Sequence, residues 1–213
     1  YDVVDAVTYV WLSQGLLSVV ASFGPSWFEL GQRVRSGDIA VDLYRPLDLQ
    51  AAGLAQDLGR AFYQLLFRAL PPFALGALLF DLTAPSEPLR WLALALSITL
   101  AVVVSYGIRF VFNLLAFWVL DFRGPYVIAL AVNLVLSGLA VPLVFFPGGL
   151  GDALRLLPPA ATLQSPIDVY LGTEIDGSTI GTLALQAFWA VAVLALGRVV
   201  LAAGTRKLVV QGG

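Results

Sequence analysis

Residues 91–110 read WLALALSITLAVVVSYGIRF, twenty residues whose only charge is Arg109. A helix of that length covers the roughly 30 Å hydrocarbon core of a bilayer, and this one has no polar face to offer to water. The apolar run continues past Arg109 to Leu120, too long for one untilted crossing and too short for two, so it predicts one span with an inner-leaflet continuation. Comparable stretches lie at 6–23, 61–80, 125–146 and 181–203, which makes five predicted crossings in an all-α, polytopic helical membrane protein.

Composition agrees. A chain of 213 residues that is 59% hydrophobic and 12% charged cannot clothe a water-soluble globule, so residues 1–213 read as a single transmembrane domain. A net charge of −2 gives no footprint for nucleic acid. The chain has no Cys, Met or His, which removes thiolate, thioether and imidazole ligands and the commonest general base. Its only lysine, Lys207, stands in a basic tail. No cofactor of its own is expected, and no metal site.

With five crossings drawn, the basic residues fall unequally. Arg33, Arg35, Arg45, Arg60, Arg68, Arg109, Arg123, Arg198, Arg206 and Lys207 lie at alternate ends from Arg90 and Arg155. The positive-inside rule then puts the segment 24–60 and the C-terminus in the cytoplasm, and residues 147–180 outside. Tyr1 falls outside as well, and a further span ahead of it would restore an even number.

Along the chain, the first span carries Thr8, Tyr9, Trp11, Ser13, Gln14 and Ser18, which suits either helix packing or the lining of a pathway. Gly24-Pro25 ends it, and Trp27 and Phe28 fit the headgroup level. An amphipathic elbow follows, with Glu29 four residues before Arg33. Pro71-Pro72 is expected to kink or break the second span, and Arg68 just before it to snorkel to the inner surface or to act in the pathway. The span at 126–146 holds Asn133 and Ser137-Gly138 near its middle, then Pro142; Asn133 is either an interhelical hydrogen bond or a solute contact. Between Phe145 and Ser178, Pro147, Pro158, Pro159 and Pro166 interrupt short amphipathic pieces that read as an outer cap, able to dip into the interface or cover a cavity mouth. The Ser, Asp and Arg residues show no clustering at one depth.

The order of these pieces resembles the permease subunit of bacterial ABC exporters of the type-two (ABC-2) family. Arg35-Ser36-Gly37-Asp38-Ile39 with Leu43-Tyr44-Arg45-Pro46-Leu47-Asp48 resembles the cytoplasmic stretch between that family's second and third spans. Leu139-Ala140-Val141-Pro142-Leu143 with Phe145-Phe146-Pro147 resembles the end of its fifth span; Leu156-Leu157-Pro158, Ser165-Pro166 and Tyr170-Leu171-Gly172 resemble its outer cap. Val209-Val210-Gln211-Gly212-Gly213 resembles its tail.

The resemblance implies that the five visible spans are the second to the sixth of six, with an extracellular re-entrant cap. It also implies a second permease subunit, identical or homologous, and two ATP-binding cassette subunits that carry ATP and magnesium, since no phosphate loop ending in Gly-Lys-Ser or Gly-Lys-Thr occurs here. On that analogy 29–60 is the coupling segment, with Arg33, Arg35, Asp38, Asp42, Arg45 and Asp48 facing the ATPase. Tyr9, Trp11, Gln14, Ser18, Asn133, Ser137 and Val141 would line a pathway for a lipophilic or amphipathic solute across the bacterial plasma membrane. A secondary carrier or channel without an ATPase, and an intramembrane lipid-modifying enzyme, are the competing classes; no internal repeat favours the first.

Overall fold

Each of the five apolar runs is built on a helix in the structure, a computed structural model that describes residues 3–20, 29–44, 46–80, 82, 84–119, 123–147 and 149–211. In chain order the helices are α1 (Val3–Val19), α2 (Glu29–Ser36), α3 (Ile39–Tyr44), α4 (Leu49–Gln64), α5 (Leu70–Leu79), α6 (Pro88–Leu114), α7 (Arg123–Leu136), α8 (Leu150–Arg155), α9 (Gln164–Leu171) and α10 (Thr179–Gln211). A π turn, Leu65–Ala69, joins α4 to α5, and short 3-10 turns follow α6 and flank α8 and α9. No strand occurs among the described residues. The expected helix stop at Gly24-Pro25, the aromatics Trp27 and Phe28, and Arg45 lie outside the described residues.

Three helical stretches are long and apolar enough to cross a bilayer: Leu49–Leu79, Pro88–Phe117 and Thr179–Lys207, with 31, 30 and 29 residues. Val3–Val19 and Val127–Leu136 are shorter apolar helices. The stretch from Pro88 to Phe117 matches the expected span with its continuation.

Two expectations need correcting. Pro71-Pro72 does not break its helix. The π turn just before it lets the Leu70 amide reach back to the Leu65 carbonyl, and the prolines then occupy the first turn of α5, where a missing N–H costs little. The span expected at 126–146 stops at Leu136. There Gly138 turns the chain with φ of +85°, a conformation that favours glycine, and an added Cβ would lie 2.4 Å from Gln164 Oε1 and 2.7 Å from the Tyr9 hydroxyl. The chain then folds back through Leu143–Phe145.

Helices α6 and α10 form the central pair. Gly107 lets them meet closely, since a Cβ there would fall 2.3 Å from Val193 Cγ2. Gln186 of α10 is fully buried; its amide donates to the carbonyls of Ser97 (3.2 Å) and Ala161 (2.9 Å) and its oxygen accepts from the Ser97 hydroxyl (2.8 Å). In hydrocarbon such bonds are worth about 0.6 kcal/mol each, and they fix the depth at which the helices register.

Around this pair, α1 packs against α4, the π turn and α9, with Tyr9, Leu12, Leu16, Val19, Ala61, Ala69, Ile167 and Tyr170 in one buried cluster. The cap is thus no loose cover. Every residue from Gln164 to Tyr170 is buried, and α9 sits among α1, α6 and α10 as an inserted element.

Candidate functional site

At one end of the bundle, α2 to α4 fold onto the ends of α1, α6 and α10. The amide of Gly31 donates to Asn113 Oδ1 at 2.8 Å, which docks α2 on α6. Asp48 caps α4 by accepting from the Ala51 amide at 2.7 Å, and also pairs with Arg198 of α10. That guanidinium is the main reason the Asp48 carboxyl lies below its ordinary range. Gln50 donates to the Leu194 carbonyl at 2.9 Å and its own carbonyl accepts from the Tyr106 hydroxyl at 2.8 Å.

Beneath this layer lies an ionic cluster. Asp57 is buried and accepts from Arg60 Nε at 2.9 Å and from Arg109, whose side chain is 5% exposed. The other nitrogens of Arg60 donate to the carbonyls of Ser18 and Val19, both at 2.9 Å, and so close the end of α1. A cavity of about 410 Å³ opens beside it, lined among others by Glu29, Arg33, Asp42, Asp57, Tyr106 and Arg109. The fold therefore gathers Asp and Arg at one level, contrary to the impression from sequence. Asp57 was missed as a partner, although its spacing of three from Arg60 put both on one helix face.

The expected coupling residues divide. Arg33 and Asp42 pair with each other at 2.5 Å, and Asp42 is buried. Arg35 and Asp38 are exposed, with Asp38 accepting from the Ser36 hydroxyl at 2.6 Å.

At the opposite end the helix break meets α9. The Tyr9 hydroxyl lies 2.7 Å from the Gly138 carbonyl oxygen and 2.8 Å from Gln164 Oε1. That oxygen also accepts from the Leu143 amide at 3.2 Å, while Gln164 Nε2 donates to Asp168 at 2.8 Å. Thr173 donates to Asp168 at 3.0 Å, and Arg155 stands 3.7 Å away. Burial pushes the Asp168 carboxyl up to about 6, against the opposing pull of Arg155, Gln164 and Thr173.

Of the expected pathway residues, Tyr9, Asn133 and Ser137 are buried, and Ser137 Oγ has no hydrogen-bond partner. Trp11 is half-buried against Phe80, and Gln14 and Val141 are exposed. Ser18 is half-buried, its hydroxyl donating to the Gly15 carbonyl at 3.0 Å. Tyr9, Ser137 and Gly138 are brought together around Gln164; Gln14 and Ser18 lie further along α1, toward the Arg60 end.

No curated protein and no solved structure matches the chain. The chain is a helical membrane domain with polar segments folded over one end and α9 packed among α1, α6 and α10 toward the other. Over residues 1–212 the chain matches the ABC-2 family transporter protein family, so it belongs to that family and is a permease subunit of an ABC transporter rather than an enzyme.

Proposed function

We propose that this permease pairs with a second, identical or homologous permease subunit to form an ATP-driven exporter for a lipophilic or amphipathic solute. Two ATPase subunits, holding ATP and magnesium, dock on residues 29–60 at the cytoplasmic face of a bacterial plasma membrane, where the C-terminus also lies. The single observation that carries the reading is the way α2 to α4 are tied to three helices of the bundle at once: Gly31 to Asn113 on α6, Arg60 to the end of α1, and Asp48 to Arg198 on α10. A push on this layer reaches all three helices. Arg35 and Asp38 offer the exposed charges for contact, Asp48 and Arg45 extend the same stretch, and the Arg33–Asp42 pair holds α2 against α3.

On the solute side, exposed Gln14 and Val141 and half-buried Trp11 would meet the solute directly, while Tyr9, Asn133 and Ser137 are buried and Ser18 is half-buried. A pathway so poor in charge suits solutes with large apolar bodies. Charge reversal at Arg35 and Asp38 should lower recovery of the ATPase in a pull-down and abolish transport while insertion in the membrane stays normal. Transport that continues at full rate without nucleotide defeats the proposal and favours a secondary carrier.

A further inference from the structure

Arg155 of α8 is buried, and its guanidinium is only half used. Nη1 donates to the Thr173 carbonyl at 3.2 Å, while Nε and Nη2 have no hydrogen-bond partner among the described residues. Those two nitrogens form the side edge of the guanidinium, the fork that can take both oxygens of a carboxylate at once. Beside it stands the carboxyl group of Asp168 on α9, buried as well, with Oδ1 3.7 Å from Nη2 and so outside hydrogen-bond reach. A buried cation and an ionised carboxylate are costly to keep apart at that distance.

What holds Asp168 in place is neutral. Its Oδ1 accepts from Gln164 Nε2 at 2.8 Å and from the Thr173 hydroxyl at 3.0 Å. Gln164 is fully buried, and its own oxygen meets the Tyr9 hydroxyl of α1 and the Leu143 amide beyond the break after α7. One amide group thus links the Asp168 carboxyl to two contacts that seat α9. Burial favours the protonated carboxyl, which suits this arrangement. Once ionised, the same group has a stronger pair of donors in the Arg155 fork, about 1 Å nearer than it now stands, and its departure strands a buried amide donor on Gln164. From the neighbouring elements, Glu174 accepts from the Thr179 hydroxyl at 2.6 Å and repels a charge on Asp168. Arg90 of α6 lies against Gly172 at the end of α9, and Asp152 of α8 is exposed. Helix α1 carries Asp5 and Tyr9 at this end, and α10 has no titratable residue between Thr179 and Ala190.

We propose that ionisation of Asp168 is a switch: it draws the carboxylate off Gln164 and into the open fork of Arg155, and so unlocks α9 from α1 and from the break after α7. Protonation closes the lock again. On the orientation given under Proposed function, on which this one point rests, the switch answers to the outside of the cell, and acid there holds α9 in place.

The full chain, reconstituted with its companion permease and ATPase and without nucleotide, offers two readouts. Difference infrared spectroscopy follows the carbonyl stretch of the protonated Asp168 carboxyl, assigned by its absence in Asp168→Asn. Hydrogen exchange, corrected for the intrinsic rate at each pH, follows the amides of 164–171. The wild type should lose the carboxyl band as pH rises through about 6. Protection of α9 should fall about tenfold between about pH 5 and pH 8, the change in opening equilibrium that such a proton release implies. Asp168→Asn should keep α9 equally protected across that range. Arg155→Gln removes the fork that favours the charged form, so both transitions should move to higher pH, and Arg155→Lys should bring them back toward the wild type. Transitions that Arg155→Gln leaves in place, a carboxyl band lost without any change in α9 exchange, or exchange that still follows pH in Asp168→Asn would each overturn the switch. Neither readout uses nucleotide or transport, so its failure is distinguishable from a failure of ATP-driven export.

Discussion

Replacing Asp57 by Asn keeps the shape of the side chain but removes the only carboxylate that Arg109 meets among the ion pairs of the described residues. Asp57 is 7% exposed and accepts two charge-assisted bonds, from Arg60 and Arg109. Each such bond is worth about 1.5–3 kcal/mol, and stranding a buried cation by removing its partner costs about 3–5 kcal/mol. The two routes converge on a loss of about 3–5 kcal/mol for Asp57→Asn. Desolvation of both ions offsets most of their attraction, so Asp57→Leu combined with Arg109→Leu should return to within about 1 kcal/mol of the wild type or exceed it. The retained bonds of Arg60 to Ser18 and Val19 keep the end of α1 closed in that double variant. Reversible unfolding in mixed micelles, followed by tryptophan fluorescence, gives all the corners of the cycle. A single variant that loses less than about 1 kcal/mol, or a double variant as damaged as the sum of the singles, refutes the buried-pair reasoning.

Gly138→Ala should cost about 1–3 kcal/mol and weaken attachment of α9, because the residue has φ of +85° and its Cβ would crowd Gln164 and Tyr9; limited proteolysis between Phe145 and Ser178 reads the loosening. Asp168 imposes a pH dependence. With its carboxyl near 6 when folded and 3.8 as the ordinary value, the folded form holds the proton more tightly, so its stabilising contribution is complete below pH 3.8 and is lost as pH rises through 6. The loss amounts to about 3 kcal/mol at most, and Asp168→Asn should flatten a melting profile taken between pH 4 and 7. The Asp48–Arg198 pair, half-exposed on both sides, should contribute less than about 1 kcal/mol, so Arg198→Gln should change melting little at low salt and less at high salt.

The long helices were legible because uninterrupted apolar runs leave a chain in lipid no alternative but to close its own hydrogen bonds. The boundaries were harder where one residue decided them. Ser137-Gly138 reads as the middle of a span, and only the left-handed turn at Gly138, with Tyr9 and Gln164 crowded around it, shows that the helix has already ended. The proline-rich stretch after Phe145 reads as surface, since its local pattern is broken; its burial comes from α1 and α6, more than fifty residues away in sequence. Arg109 was visible as a charge at a helix end, but its partner Asp57 was hidden because the pairing joins two helices whose relative rotation no local pattern encodes.

The π turn at Leu65–Ala69 also sets the phase of the helix it interrupts. Ala61 and Ala69 both face the buried cluster with α1, yet they are eight residues apart, which in an unbroken α-helix would leave them about 80° out of alignment. Absorbing one extra residue in the wide turn reduces the mismatch to about 20°. Winding the turn into ordinary α-helix with all its residues kept would rotate everything beyond it by about 100°, carrying Gly76 off the Trp11 ring and Leu78 and Leu79 onto new surfaces, whereas deleting one residue there would restore an unbroken helix with the facing unchanged. The wide turn is thus an indexing device: by taking up one surplus residue it keeps one side of the second half of this rod toward protein and the other toward lipid.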